Sequence, residues 1–265
     1  MPTLEIGSRG AGVKRLQKLL KARGFDPGVI DGVFGPGTEA AVLAFQRSEG
    51  LLADGIVGPR TAGMLARKKP GKLASALDQA TPAVVSAMFP HTPLGNIKRN
   101  LPYVVAALRK SGLHDRMMIL MALATIRAET ESFEPIAEGR SRFNTSPNGH
   151  PFDLYDNRRD LGNRGKPDGE RYRGRGYVQL TGRFNYGKYG KMIGLGNRLV
   201  REPELTSDPK VAGELLAAFL EPQERRIKES LIYGDYASAR RIVNGGTHGI
   251  DRFTDAFLIG AGLIT

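Results

Sequence analysis

Residues 115–133 read DRMMILMALATIRAETESF, an almost unbroken apolar segment that ends in two closely spaced glutamates. Within it Ile119, Leu123 and Ile126 recur at intervals of four and three residues, which is the period of one face of an α-helix. Methionine, leucine and alanine fill most of the other positions, and a helix that is apolar nearly all round belongs in a protein core. Asp115 is the predicted N-cap. The segment therefore predicts a buried central helix in a mainly α-helical domain.

The two glutamates, Glu129 and Glu131, lie in the last turn of this helix. Positions two residues apart are rotated by about 200° around a helix axis, so only one of the pair can face the protein. Glu129 follows Ile126 by three residues and lies beside the apolar face. Burial and the negative end of a helix both favour a protonated carboxyl group, which a general acid in glycoside cleavage must be. Glu129 is the candidate acid; the alternative is a solvated pair at a helix end.

A long polar segment, residues 134–171, follows the helix and carries Glu138. It is dense in turn-forming residues and shows little helical or strand periodicity. A loop of this length in a compact domain is usually either functional or disordered. Aromatic and leucine side chains spaced along it argue against disorder, so we expect a functional loop.

This loop closes on the motif RGRGYVQLTGRFNY at residues 173–186. The glycines allow close approach of backbone, and Gln179, Thr181 and Asn185 supply hydrogen-bond donors and acceptors. Alternating residues from Tyr177 to Thr181 also fit a short strand of a small β-hairpin, with Gln179 and Thr181 on the same side as Tyr177.

Six motifs follow one another along the second part of the chain. They are AETESF at 128–133, LY at 154–155, LGN at 161–163, DGERY at 168–172, GRGYVQLTGRFNY at 174–186 and NGG at 244–246. In this order they resemble the family 19 glycoside hydrolases, which comprise chitinases and a bacteriophage branch that cleaves peptidoglycan. The resemblance covers about residue 81 to the C-terminus and implies a lysozyme-like α-helical catalytic domain.

The resemblance also implies roles for single residues. Glu129 occupies the position of the general acid in the family's His-Glu-Thr motif, although this chain has Ala128 in place of the histidine. Glu138 fits best as the carboxylate that activates water. The weaker candidates for that role are Glu131, Glu134 and Asp153. The implied sugar contacts are Tyr155, Gln179, Thr181, Asn185 and Asn244.

The implied chemistry inverts the anomeric carbon. It requires two carboxyl groups roughly 6.5–9.5 Å apart with water between them. Two-carboxylate hydrolysis needs neither a metal nor another cofactor, and none is expected here.

The first 66 residues contain an internal repeat, DGVFGPGT at 31–38 and DGIVGPRT at 54–61. Each copy predicts a tight turn followed by a helix with proline in its first turn. Together with a predicted helix at 10–23, the segment resembles the three-helix peptidoglycan-binding module of cell-wall hydrolases. The binding surface is expected near Asp31, Phe34 and Asp54, and the alternative for each Asp-Gly pair is turn chemistry alone.

These patterns divide the chain into a peptidoglycan-binding module at 1–66, a linker at 67–80 that begins RKKPGK, and a catalytic domain at 81–265. The basic linker could add affinity for an anionic wall, or serve only as a solvated tether.

Composition narrows the classes of partner and of chemistry. The net charge of +12 indicates an anionic partner. No nucleic-acid recognition motif occurs, so peptidoglycan and an anionic envelope surface are the expected partners of a monomeric protein. The sequence contains no cysteine, which excludes a thiol nucleophile. It also shows no signal-peptide pattern, so we expect synthesis in a host cytoplasm and pore-mediated release to the cell wall.

The first functional hypothesis is a phage endolysin that cuts the β-1,4 bond between N-acetylmuramic acid and N-acetylglucosamine. A chitinase with the same mechanism and a non-enzymatic wall-binding protein are alternatives. A lytic transglycosylase is a fourth, because Glu131-Ser-Phe133 echoes that family's glutamate motif. A zinc amidase is disfavoured, since the four histidines are scattered and form no His-Glu-x-x-His pattern.

Overall fold

The computed structural model describes residues 3–66 and 75–265. They form fifteen α-helices, and β-pairing among these residues is confined to isolated bridges, which confirms the mainly α fold class. None of the helices in this part of the chain combines the length and apolarity that a membrane span needs. The helices are α1 Ala11–Ala22, α2 Pro36–Ser48, α3 Pro59–Ala66, α4 Ala76–Gln79, α5 Pro82–Met88, α6 Leu94–Lys110, α7 Arg116–Thr130, α8 Asp153–Asp156, α9 Asp168–Arg171, α10 Arg183–Met192, α11 Arg198–Arg201, α12 Pro209–Leu220, α13 Glu224–Ile232, α14 Tyr236–Asn244 and α15 Ile250–Leu263. Short 3₁₀ turns lie at Arg159–Leu161, Pro203–Ser207 and Glu221–Gln223.

The first three helices enclose a small core of their own. Two fully buried glutamines, Gln17 on α1 and Gln46 on α2, organise its turns. The Gln17 side chain accepts a hydrogen bond from the Gly32 N–H at 2.9 Å, and Gln46 accepts one from the Gly55 N–H at 3.0 Å. Each glutamine also donates to the aspartate of its own repeat copy. The sequence repeat is thus a repeated hydrogen-bond network.

A second, larger core surrounds α7, whose residues are nearly all buried. The Asp115 carboxylate accepts hydrogen bonds from the N–H groups of Met117 and Met118, as predicted for an N-cap. The last helix, α15, packs closely on α7 at Gly260, where an added Cβ would lie 2.5 Å from the Leu120 side chain. The predicted core helix is therefore confirmed, and it ends at Thr130.

The linker expected at 67–80 is only partly visible, because residues 67–74 lie outside the described residues. Its C-terminal end forms α4, which starts with a capping box at Ser75. Leu77 and Ala80 are buried in the larger core. Residues 75–80 therefore pack with the C-terminal helices, because they carry apolar side chains at helical spacing.

One expectation about local structure needs correction. The expected strand at 177–181 is a tight turn closed by a single Arg175–Leu180 bridge.

Positive backbone φ angles explain why that strand does not form. Gly176 has φ 76° and Gln179 has φ 48°, and both values turn the chain. Tyr177 is consequently fully buried in the larger core, whereas Gln179 and Thr181 remain partly exposed. The long segment 134–171 contains two short helices, α8 and α9, although its sequence shows little helical periodicity.

Candidate active site

Glu129 and Glu131 face different environments, and only Glu129 lies within the helix. The Glu129 side chain is 10% exposed, and that of Glu131 is 39% exposed. Glu131 also follows the last helical residue and has φ 40°. It pairs with Arg252 at 3.2 Å and with Arg127 at 3.6 Å. Two guanidinium groups therefore hold Glu131 at the protein surface.

The Glu129 carboxylate is held from α14. The fully buried Arg240 donates from Nη2 to Glu129 Oε1 at 2.6 Å. With its amide nitrogen facing the carboxylate, Asn244 donates to the same oxygen at 3.2 Å, and its Oδ1 accepts from Arg240 at 3.1 Å. Arg240 and Asn244 are four residues apart and so share one face of α14. Both contacts use Oε1, and no described residue hydrogen-bonds Oε2.

The Glu138 carboxylate lies in a separate cluster of donors. Oε1 accepts hydrogen bonds from Asn144 Nδ2 at 2.9 Å and from the Tyr155 hydroxyl at 3.0 Å. Oε2 accepts from the Gly174 N–H at 3.1 Å. The Glu138 backbone N–H in turn donates to the Gly174 carbonyl at 2.7 Å. A loop carboxylate is thus fixed to the glycine-rich motif from both its backbone and its side chain.

Tyr155 remains a proton donor to Glu138 over a wide pH range. Partial burial, together with the charge of Glu138 and the hydrogen bond to it, raises the pKa of Tyr155 to about 12. Its phenol is consequently protonated at any pH at which the protein would act. The sequence assigned Tyr155 to sugar binding, whereas its hydroxyl is directed to the candidate base.

Gly174 lies at the meeting point of three candidate side chains. A Cβ at this position would lie 2.9 Å from Gln179 Oε1, 3.2 Å from Glu138 Oε2 and 3.3 Å from Thr181 Oγ1. A larger residue would therefore displace the polar groups of the site. The glycine is explained by this close approach of side chains.

The other predicted sugar contacts are partly engaged with backbone. Gln179 Nε2 donates to the carbonyls of Gly176 at 3.0 Å and Ile136 at 3.2 Å. Thr181 Oγ1 donates to the Gln179 carbonyl, and Asn185 Nδ2 donates to the Thr181 carbonyl, both at 2.8 Å. No described residue donates to the side-chain oxygens of Gln179 and Asn185. Those two oxygens can accept hydrogen bonds from sugar hydroxyl or amide groups.

The predicted site residues therefore form two groups. Glu129 and Asn244 belong to the first; the second comprises Glu138, Tyr155, Gln179, Thr181 and Asn185. No described hydrogen bond joins the groups directly. The chain between them is anchored at the buried Phe133, whose ring lies 6.1 Å from that of Tyr177 and whose carbonyl accepts from Asn100 at 2.9 Å.

Reasoning from sequence missed two residues that hold the carboxylates. Arg240 could have been found, because its i, i+4 spacing from Asn244 places both on one helix face. Asn144 is buried and looked like a turn residue in the sequence. Of the weaker candidates for the base, Glu134 pairs with Arg99 at 3.1 Å near the surface. Asp153 accepts hydrogen bonds from the hydroxyl and the backbone N–H of Ser146, and these bonds lower the pKa of its carboxyl group.

Of the three residues predicted near the binding surface of the N-terminal unit, one is buried in the core and two hydrogen-bond within turns. Phe34 is 1% exposed and its ring belongs to the core, so a binding surface near it would have to be formed by its neighbours and stays a prediction. Asp31 Oδ1 accepts from the Val33 N–H at 2.8 Å, and Asp54 Oδ1 accepts from the Ile56 N–H at 2.8 Å. Turn chemistry thus occupies one oxygen of each aspartate. The role of the aspartates in binding remains a prediction.

Comparison with known families locates a match in this same unit. Residues 9–65 match the family described as "Putative peptidoglycan binding domain". Over 64 residues the chain is 50% identical to a zinc D-Ala-D-Ala carboxypeptidase of Streptomyces albus G, covering 22% of this chain and 24% of that protein. It is 44% identical over 64 residues to a spore cortex-lytic enzyme of Bacillus cereus, covering 24% of this chain and 25% of that protein. The chain spans about a quarter of the length of these relatives, so the similarity concerns the N-terminal unit.

Solved structures provide a weaker comparison for the longer part of the chain. Chitinase C from Streptomyces griseus has 17% sequence identity and a TM-score of 0.47, covering 74% of this chain and 80% of that one. A Burkholderia AP3 phage endolysin has 19% identity and a TM-score of 0.28, covering 99% of both chains. Scores this low carry no argument about the activity of this chain.

Proposed function

We propose that this protein is a peptidoglycan hydrolase that cleaves the β-1,4 bond between N-acetylmuramic acid and N-acetylglucosamine. The main support for the proposal is a pair of carboxylates that differ in their place in the fold and in how many hydrogen bonds they accept. Glu129 lies at the end of a core helix with one oxygen unengaged by described residues, and Glu138 is fixed by three donors. Such contrast is expected of an acid and a base that perform different steps.

In the proposed reaction Glu129 Oε2 carries a proton and gives it to the glycosidic oxygen as the C1–O bond breaks. Glu138 accepts a proton from a water molecule whose oxygen bonds to C1 on the opposite face of the sugar. The products are a new reducing end and a free hydroxyl group. Arg240 and Asn244 hold Glu129 through Oε1, so the other oxygen can point to the substrate.

The N-terminal unit would retain the enzyme on its substrate. Its match to a peptidoglycan-binding family supports peptidoglycan as the polymer that this chain attacks. Tethering a catalytic unit to a binding unit raises the local concentration of substrate. We therefore divide the chain into a binding module at 1–66, a linker and a catalytic domain at 81–265, to which residues 75–80 are added because they pack into its core. The proposed place of action is the bacterial cell wall.

A variant of the acid tests the proposal. Glu129→Gln keeps the shape of the side chain but cannot donate the proton, so the release of reducing ends from purified peptidoglycan should fall roughly 10²- to 10⁴-fold. Glu229→Gln is the matched control, because Glu229 is a partly exposed glutamate in an ion pair with Arg225 and is not a candidate for either catalytic role. Full activity of the Glu129 variant would remove this residue from the mechanism, and equal losses in both variants would indicate a structural effect.

A further inference from the structure

A basic pocket of about 790 Å³ lies beside the first turns of α10. Its wall includes Arg164, Arg183, Lys188, Lys191 and Arg201, and the ring of Phe184, which is 62% exposed. These side chains come from α10, from the loop before α9 and from α11. No pattern in the sequence indicates that these side chains converge.

Most of these basic side chains form no direct ion pair within the described part of the chain. Arg183 pairs with Asp168 at 2.6 Å and is half-buried. Arg164, Lys188, Lys191 and Arg201 are exposed, and in residues 3–66 and 75–265 none of them forms an ion pair with an acidic side chain. Like charges held around one cavity repel one another. An anionic occupant would relieve that repulsion.

The pocket adjoins the Glu138 cluster through a short chain of hydrogen bonds. The Arg183 N–H donates to Asn163 Oδ1 at 2.9 Å, and Asn163 Nδ2 donates to the Tyr155 carbonyl at 2.8 Å. Tyr155 in turn donates to Glu138. Asn185, a predicted sugar contact, lies on the same first turn of α10 as Arg183. A glycan strand bound at Glu138 would therefore pass close to the pocket.

The wall between the two sites is closely packed. A Cβ at Gly182 would lie 2.6 Å from the Leu161 carbonyl oxygen, and a Cβ at Gly162 would lie 2.7 Å from Phe184 Cβ. The loop before α9 and the start of α10 are thus in direct contact. Such packing fixes the distance between the basic pocket and the candidate base.

We propose that this pocket binds the carboxylate groups of the short peptide that peptidoglycan carries on its muramic acid. The inference rests on the proposed function and identifies the part of the substrate that the site would recognise. Arginine and lysine side chains bind carboxylates through charge-assisted hydrogen bonds. Chitin carries no such peptide, so the pocket would favour peptidoglycan over a neutral glycan with the same backbone linkage.

The test compares one charge-removing variant on two substrates. Lys188→Gln combined with Lys191→Gln removes two exposed charges from the pocket. Lys98→Gln combined with Lys210→Gln removes two exposed lysines elsewhere and is the matched control. The substrates are soluble peptidoglycan strands with their peptides and the same strands stripped of peptides by an amidase, with the lactyl carboxylate that the amidase exposes converted to an amide.

For the pocket variant we expect KM on peptide-bearing strands to rise roughly five- to tenfold, with kcat within twofold. KM on stripped strands should not change, and the control should match the unaltered protein on both. An unchanged KM on peptide-bearing strands, or equal losses on both substrates, would overturn the proposal. A third outcome would also overturn the proposal: the pocket variant hydrolyses both substrates normally but is no longer retained on phosphatidylglycerol vesicles. The pocket would then bind a lipid surface.

A binding measurement separates this inference from the proposed function. Calorimetry compares a disaccharide-tetrapeptide with the disaccharide alone, using the full chain. The pocket variant should bind the peptide-bearing ligand more weakly than the control variant does. This result supports peptide binding at the pocket even if the unaltered protein releases no reducing ends. Equal binding by the pocket variant and the control overturns the pocket while leaving the hydrolase proposal standing.

Discussion

Replacing Tyr155 with phenylalanine should slow catalysis without weakening substrate binding. The Tyr155 hydroxyl donates to Glu138 Oε1 at 3.0 Å, and Glu138 keeps two other donors when it is removed. A hydrogen bond to a charged group contributes about 1.5–3 kcal/mol. Because the two remaining donors still orient the carboxylate, we expect about 1–2 kcal/mol to be lost from transition-state stabilisation, which lowers kcat by roughly 5- to 30-fold.

The assay is the initial rate of reducing-end release from soluble peptidoglycan strands over a range of substrate concentrations. Tyr189→Phe is the matched control. Tyr189 stacks on Phe219 with ring centroids 3.9 Å apart, and no described residue hydrogen-bonds its hydroxyl. A rise in KM with unchanged kcat in Tyr155→Phe would make Tyr155 a sugar contact, as the sequence predicted. An unchanged rate in a folded variant would refute its role in positioning Glu138.

Three further predictions concern stability. Lys228 is fully buried and pairs with two acidic side chains at 2.8 Å. Lys228→Met should lower the free energy of unfolding in urea by about 3–5 kcal/mol, because it leaves buried negative charge uncompensated. A decrease below about 1 kcal/mol would contradict this prediction. Burial raises the pKa of Asp168, but hydrogen bonds from Arg183 and a backbone N–H outweigh it and hold the pKa below its ordinary 3.8. The stability that the Asp168 carboxylate contributes is therefore fully present above pH 3.8 and is lost as the pH falls through the folded-state pKa. The unfolding temperatures of Asp168→Asn and of the unaltered protein should consequently converge in acid. A difference in unfolding temperature that stays constant with pH would exclude the ion pair as its cause. Gln17→Leu and Gln46→Leu should each lower the free energy of unfolding of the N-terminal unit by roughly 2 kcal/mol, since each leaves buried backbone groups unpaired. A clear loss of stability in only one of the two variants would show that the two hydrogen-bond networks are not equivalent.

Elements with a periodic apolar face could be predicted from sequence. The central helix and its N-cap at Asp115 are confirmed. Both depend on local interactions that the sequence displays directly, namely helical spacing and an aspartate cap.

Contacts between distant segments could not be predicted in this way. Phe34 looked like an exposed turn residue, but the repeat folds its ring into the core. Arg240 reaches Glu129 across more than one hundred residues, and the basic pocket collects side chains from three segments. No local pattern specifies those distances. The Gln179 turn likewise depends on a positive φ that a polar residue rarely adopts.

The proposed mechanism has Glu129 and Glu138 hydrolyse a glycosidic bond. Mass spectrometry of the fragments released from purified peptidoglycan identifies which bond is cut and how. We expect reducing ends at N-acetylmuramic acid, and we expect these ends to be lost in Glu129→Gln. Anhydro ends would move the acid to Glu131 and contradict the hydrolytic mechanism, whereas intact glycan strands with cut peptides would contradict the glycosidase assignment itself.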